Sequence, residues 1–205
     1  KVYIGKNILE NAKKLKIVCT ASTGTVHIDK EYLNLKKIKL LSLTKELAII
    51  NKISSTAEHA FCLTLSSIRN VNHSYNDVLK GNWDYTNFIG RQLNFLNIGV
   101  IGYGRLGKMY AHYCNAFGSK VFVFDPAVKK IKQKKNVLVL NSIFEVIDRS
   151  NILFIMTPWK EFKNISINLI NNSKIKKIID PFGMLINYKI FFQKKKNRIL
   201  FSYIK

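Results

Sequence analysis

The sequence is poor in cysteine: Cys19, Cys62 and Cys114 stand alone among 205 residues. Isolated thiols without metal-ligand spacing exclude a disulfide framework and a cysteine-held metal. They read as reduced core thiols of a cytoplasmic protein. No apolar stretch approaches the ~18 residues of a membrane span, so no membrane partner is expected. No signal-peptide pattern opens the chain and no segment repeats. The first residue is Lys1 rather than Met, which reads as a fragment or a processed form. Arginine is scarce too. The net charge is +22, yet of 34 basic residues only Arg69, Arg91, Arg105, Arg149 and Arg198 are arginine. The lysines are scattered among abundant Ile, Asn and Phe, the joint enrichment an AT-rich genome imposes. Nucleic-acid surfaces lean on arginine for bidentate contacts to phosphate and guanine, so no nucleic-acid partner is expected. The lysine runs at 129–135 and 194–196 read as solvated loops.

What is present is enough for a buried core. Length allows one ordinary domain, or one plus part of another. Hydrophobic residues make up 47% of the chain.

The most informative stretch is an apolar strand running into Gly102-Tyr103-Gly104-Arg105-Leu106-Gly107, then a helical stretch, then Val121-Phe122-Val123-Phe124-Asp125-Pro126. Each residue type has a separate task in holding a dinucleotide. Gly102 permits the tight turn, Gly104 lets the backbone approach a pyrophosphate, and Gly107 allows close helix–strand packing. The diphosphate meets free N–H groups and the positive end of the helix dipole. Asp125 lies 18 residues past Gly107, close to the ~20 expected for a carboxylate gripping a ribose 2′-OH. That acid favours NAD over NADP, whose 2′-phosphate it would repel, while Lys129 and Lys130 nearby moderate the preference. Met109, Tyr110, Tyr113, Ala116 and Phe117 recur at helical spacing, with Gly118 as the stop.

From Phe95 onwards, strands are predicted at 95–101, 120–124, 137–140, 152–156 and 176–180, with helices at 105–117, 141–149 and 160–170. The alternation predicts an α/β fold, a Rossmann-like doubly wound parallel sheet. A helix near 187–194 and an apolar stretch from Ile199 to Ile204 close the chain. The start has its own α/β signals: a strand from Leu15 to Cys19, a helix capped by Asp29 through Leu35, and a strand from Ile38 to Leu43. Ser55-Thr56-Ala57-Glu58 reads as a capping box opening a helix whose apolar positions include Ala57, Ala60, Phe61, Leu65 and Ile68. The segment Asn70 to Arg91 is polar and aromatic and reads as a connection between units. Residues 1–70 are expected to form a partial second, flavodoxin-like α/β substrate domain with a linker helix, and 71–205 the dinucleotide-binding domain.

These pieces, in this order, resemble the D-isomer-specific 2-hydroxyacid dehydrogenases, the phosphoglycerate dehydrogenase-like family. The likeness rests on Ser55-Thr56-Ala57-Glu58-His59-Ala60, Gly81-Asn82-Trp83, Gly90-Arg91-Gln92-Leu93, Ala116-Phe117-Gly118 and Phe124-Asp125-Pro126. It implies a substrate domain, linking helices and an NAD domain, an oxidoreductase passing hydride between NAD and a 2-hydroxy or 2-oxo acid, and a homodimer. By resemblance Ser22-Thr23-Gly24 receives the substrate carboxylate on backbone N–H groups, though a β-to-α turn explains that loop as well. Thr56 resembles a residue near the cofactor, and a helix cap explains it equally. Thr157-Pro158 resembles the loop beside the nicotinamide ribose, or is an ordinary strand exit.

The resemblance implies an arginine that holds the carboxylate and polarises the carbonyl, a histidine as general acid/base and a glutamate that orients it, and here the pattern departs. The family's arginine should precede a glycine after the strand at 176–180, but the sequence reads Ile179-Asp180-Pro181-Phe182-Gly183. Beyond Glu161 there is no glutamate and beyond His112 no histidine. His27, His59, His73 and His112 are not in the catalytic position, so no catalytic residue is assigned. A non-catalytic NAD-binding module, a degenerate or truncated copy, is therefore the alternative. The back half, Phe154 to Phe162 with Ile178 to Pro181 and Phe201 to Ile204, is also similar to the C-terminal domain of UDP-glucose dehydrogenases. That likeness keeps an oxidoreductase on nucleotide sugars open.

Overall fold

The computed structural model describes residues 2–128, 136–187 and 200–202. They fall into two compact units, residues 1–53 and 54–205.

The first unit is a small α/β layer. Helix α1 (Lys6–Leu9) precedes strand β1 (Ile17–Thr20), helix α2 (Lys30–Leu35), strand β2 (Lys39–Ser42) and helix α3 (Leu47–Ile50). The strands β1 and β2 pair in parallel, Ile17 opposite Lys39. The predicted cap forms: Asp29 Oδ1 accepts the Tyr32 N–H at 2.9 Å, satisfying one orphan donor of the first turn. Leu9, Ile28, Leu33 and Ile38 make its core.

The second unit opens with helices α4 (Ser55–Ile68) and α5 (Val71–Val78). Then follow β3 (Asn97–Ile101), α6 (Arg105–Ala116), β4 (Lys120–Phe124), β5 (Val137–Val139), α7 (Ile143–Arg149), β6 (Ile152–Ile155), α8 (Ile167–Asn171), β7 (Lys177–Ile179) and β8 (Leu200–Ser202). The sheet order is β5-β4-β3-β6-β7-β8, and every pairing is parallel. Strands with alternating side chains bury both faces. Ile98, Val100, Val121, Val123, Ile152 and Phe154 join the core under α4 and α6. Ile101, Phe122, Leu153 and Ile155 join the core on the α7 face. Burial on both sides explains the near-continuous apolar runs of these strands and bears out the doubly wound expectation.

Four local expectations are corrected. The domain boundary falls at 53/54 rather than 70, because α4 packs into the nucleotide unit: Ala60 and Ile68 lie in its core. The Thr64 hydroxyl also meets the Tyr110 phenol of α6 at 2.7 Å. The capping box at 55–58 is not formed. Ser54 is the N-cap and its hydroxyl bonds the Glu58 carboxylate. A Ser–Glu box does form at 142–145, where Ser142 Oγ accepts the Glu145 N–H at 3.2 Å. The helix expected over 160–170 is instead a 3-10 turn, Lys160–Asn164, followed by α8. Ile165 and Ser166 are extended there (ψ 123° and 130°), which breaks the hydrogen-bond ladder while Phe162, Ile165 and Ile170 all stay buried. The 70–91 connection contains α5 and a 3-10 turn, Tyr85–Phe88. The turn is fixed by Asp84, whose carboxylate accepts from the Thr86 N–H at 2.9 Å and the Thr86 hydroxyl at 2.6 Å. These bonds hold the Asp84 carboxyl below its ordinary pKa. The terminal helix predicted near 187–194 and both lysine runs lie outside the described residues, apart from 187. Residues 200–202 of the closing apolar stretch form β8.

Candidate functional site

The strand order reverses direction between β3 and β6, with β4 and β5 on one side and β7 and β8 on the other. In an open α/β sheet the crevice at such a switch point, beyond the strands' carboxyl ends, is where ligands bind. The loop from β3 to α6 is the glycine motif, and the loop after β6 carries Thr157 and Pro158, so the sheet brings the two together.

Three glycines have three distinguishable reasons. Gly102 has φ +98°, the left-handed region that favours glycine. A Cβ there would also meet Thr157 Cγ2 at 2.8 Å. A Cβ on Gly107 would run into the Gly102 carbonyl oxygen, so α6 leaves the sheet at a distance only glycine tolerates. Gly104, by contrast, is exposed, and a Cβ there would meet nothing within 4 Å among the described residues. Its bareness is not needed by the protein's own packing, which is what a close-approaching ligand requires. Gly104 is the N-cap of α6 and offers no side-chain cap. A first helical turn has no carbonyl four residues back for its N–H groups, and the macrodipole adds a partial positive charge there.

Asp125, 7% exposed, directly follows β4 and turns into this loop. Its Oδ2 accepts the Tyr103 N–H at 2.6 Å and its Oδ1 the Ala127 N–H at 2.9 Å. Two donors leave about two of a carboxylate's four acceptor sites. The acid thus shapes the glycine loop and keeps capacity for sugar hydroxyls. Tyr103 is buried, with its phenol pushed above its ordinary pKa by desolvation. The Lys108 ammonium lies 5.9 Å from its ring centroid. Arg105 reaches Met109 Sδ at 4.0 Å, Leu106 is half-buried, and Pro126 and Pro158 are exposed. A pyrophosphate-bearing dinucleotide fits this cradle.

Thr56 lies exposed on the first turn of α4. In the first unit, the Ser22 N–H donates to Thr20 Oγ1 at 3.2 Å, while Thr23 and Gly24 are exposed. Sequence reasoning passed over Asp180, which follows β7 and is fully buried. Its Oδ2 accepts the Leu185 N–H at 2.8 Å, while Oδ1 has no partner among the described residues. It holds the turn that carries Phe182, an aromatic ring 49% exposed. Among the described residues no group of three or more His, Cys, Asp or Glu is placed to hold a metal. No described helix is long and apolar enough to cross a membrane.

A family model, the NAD binding domain of the D-isomer specific 2-hydroxyacid dehydrogenases, matches residues 61–188. That span includes Phe154 to Pro181, on which the second resemblance drew. The D-3-phosphoglycerate dehydrogenase of Methanocaldococcus jannaschii is 28% identical over 156 residues, 76% of this chain and 29% of that enzyme. The glyoxylate reductase of Pyrococcus furiosus is 25% identical over 191 residues, 90% of this chain and 54% of that enzyme. The chain therefore spans under a third of the phosphoglycerate dehydrogenase and about half of the reductase. Among solved structures, D-lactate dehydrogenase from Aquifex aeolicus, complexed with NAD and lactic acid, superposes with a TM-score of 0.76 at 24% identity. The match covers 99% of this chain and 62% of that one, a likeness of fold.

Proposed function

The chain belongs to the D-isomer specific 2-hydroxyacid dehydrogenases, residues 61–188 being its NAD binding domain, and on that premise we propose that it binds NAD at the glycine loop for hydride exchange with a 2-hydroxy or 2-oxo acid. Bound NAD would supply the hydride acceptor or donor. The N–H groups at the start of α6 take the diphosphate, with Gly102, Tyr103, Gly104, Arg105, Leu106 and Gly107 forming the cradle. Asp125 accepts from the ribose hydroxyls beside Pro126 and disfavours a 2′-phosphate. Thr157 and Pro158 flank the nicotinamide end, Thr56 lies near the cofactor, and the main chain of Ser22, Thr23 and Gly24 receives the substrate carboxylate. The observation that carries the reading is the open face of Gly104 beside a carboxylate that already holds the loop.

Millimolar NADH should raise the melting temperature, by mass action on the folded state. NADPH should do so less. An unchanged melting temperature with both overturns the site.

Within the matched domain, the turn after β7 presents Phe182 where the resemblance expects an arginine. That favours a second reading, cofactor binding without turnover by these residues alone. Oxidation of NADH with simple 2-oxo acids, followed by the loss of the reduced cofactor's absorbance, separates the two.

The active form is taken as a cytoplasmic homodimer. Three free thiols suit a reducing compartment. The helix α5 buries no residue and leaves Val71, Tyr75 and Val78 exposed at helical spacing, a face suited to a second copy. Light scattering with Tyr75→Lys tests this, a monomeric wild type being the contrary result.

A further inference from the structure

We infer that the amino-end edge of the sheet, opposite the glycine loop, carries a pocket for a small phosphate-bearing anion. Leu96 precedes β3, Ile152 begins β6, Lys176 precedes β7 and Lys177 begins it. A cavity of about 250 Å³ opens there, with Arg91, Lys176 and Lys177 in its wall and, among the described residues, no carboxylate.

The wall is held by main chain. The helix α4 ends at Ile68, whose carbonyl accepts the Arg91 N–H at 3.1 Å. A Cβ on Gly90 would run into that carbonyl and come within 2.9 Å of Arg69 Cα, so glycine is what lets the chain close on the helix end and deliver Arg91 to the rim. Lys177 is half-buried, and its ammonium donates to the Ser67 carbonyl at the end of α4. An ammonium has three donors, which leaves two for a ligand. Burial lowers the Lys177 pKa, the mark of a cation desolvated without a counter-charge. Among the described residues, no ion pair neutralises any of the three cations.

An arginine fork with two ammonium groups matches phosphate, which takes bidentate and charge-assisted bonds. Ile68, Leu96 and Ile152 supply an apolar floor for a short carbon body. The volume lies below the roughly 300–1,000 Å³ of ordinary ligand pockets, too small for a dinucleotide. Free phosphate and a short phosphate monoester share this chemistry, and the floor favours the monoester.

The test is thermal unfolding and calorimetric titration of the full chain with inorganic phosphate and with n-propyl phosphate, at ionic strength fixed by chloride. Both should bind, propyl phosphate more tightly. Arg91→Ala and Lys176→Ala should each weaken binding by about tenfold, while Gly104→Ala, aimed at the dinucleotide cradle, should leave it unchanged. Lys177 is kept intact because it also holds the end of α4. Equal binding of the two anions would still support the pocket and identify free phosphate as its occupant. Stabilisation no greater than that of chloride would overturn the proposal. So would binding that survives the Arg91→Ala, Lys176→Ala double variant, or that NAD competes away, because the anion then sits in the glycine loop.

Discussion

The Asp125 carboxylate accepts the Tyr103 main-chain N–H at 2.6 Å, so the acid proposed to hold the ribose also holds the loop that receives the phosphates. Removing it should therefore act twice. Asp125→Ala leaves the buried Tyr103 N–H without its acceptor, at a cost of about 1–3 kcal/mol. It should also lower NADH affinity at least tenfold. Asp125→Asn keeps an acceptor oxygen but no charge and should fall between the two. Chemical denaturation and calorimetry read both effects, and an Asp125→Ala protein with undiminished NADH affinity contradicts the assignment.

Gly104 and Gly107 separate ligand binding from folding. Gly104→Ala adds a methyl into open space with φ −68°, so stability should change by no more than about 0.5 kcal/mol. NADH binding should weaken clearly. Gly107→Ala drives a Cβ into the Gly102 carbonyl and should destabilise the fold by about 1–3 kcal/mol even without cofactor. Melting curves with and without NADH distinguish the pair, and equal stability losses would refute the separation.

The bond between Thr64 and Tyr110 ties the linker helix to the nucleotide unit. The Thr64 hydroxyl already donates to the Ala60 carbonyl at 3.1 Å, so Tyr110→Phe leaves no orphan on α4 and should cost about 1 kcal/mol. Thr64→Val takes away the hydroxyl partner of the buried phenol and should cost more, about 1–3 kcal/mol. Urea unfolding should return that order.

Much of this was legible beforehand because it rests on local rules. The glycine motif, the strand cores from Ile98 to Ile179 and the Asp29 cap each follow from residue type and spacing. Asp125 was legible as an acid in the right place, but its bond to Tyr103 was not, since only the folded loop brings residues 22 apart together. Asp180 and the anion pocket were invisible for the same reason. They depend on Gly90 closing on α4 and on β7 lying beside β6, neither of which has a periodicity. The helix boundary at 54 was missed by one residue because two serines in succession offer equal caps.

Burial sets the behaviour of the third thiol. Cys19 and Cys62 are exposed and Cys114 is fully buried. Desolvation pushes the Cys114 thiol up to about 12 and the Tyr110 phenol upward as well. At mildly alkaline pH two thiols should therefore react with a disulfide reagent in the native protein, and the third only on unfolding. The sign for stability follows. With a raised folded-state pKa, the native state keeps a proton that the unfolded state releases. The stabilisation is thus complete below the unfolded value and is lost as pH climbs from about 9 toward 12, at up to roughly 1.4 kcal/mol per pH unit. Cys114→Ala should remove its share of that slope while lysine titration continues in both proteins. Parallel pH-stability curves for wild type and variant, or three thiols reacting at once in the native state, would show that the thiol is not sealed on the inner face of α6 as its burial requires.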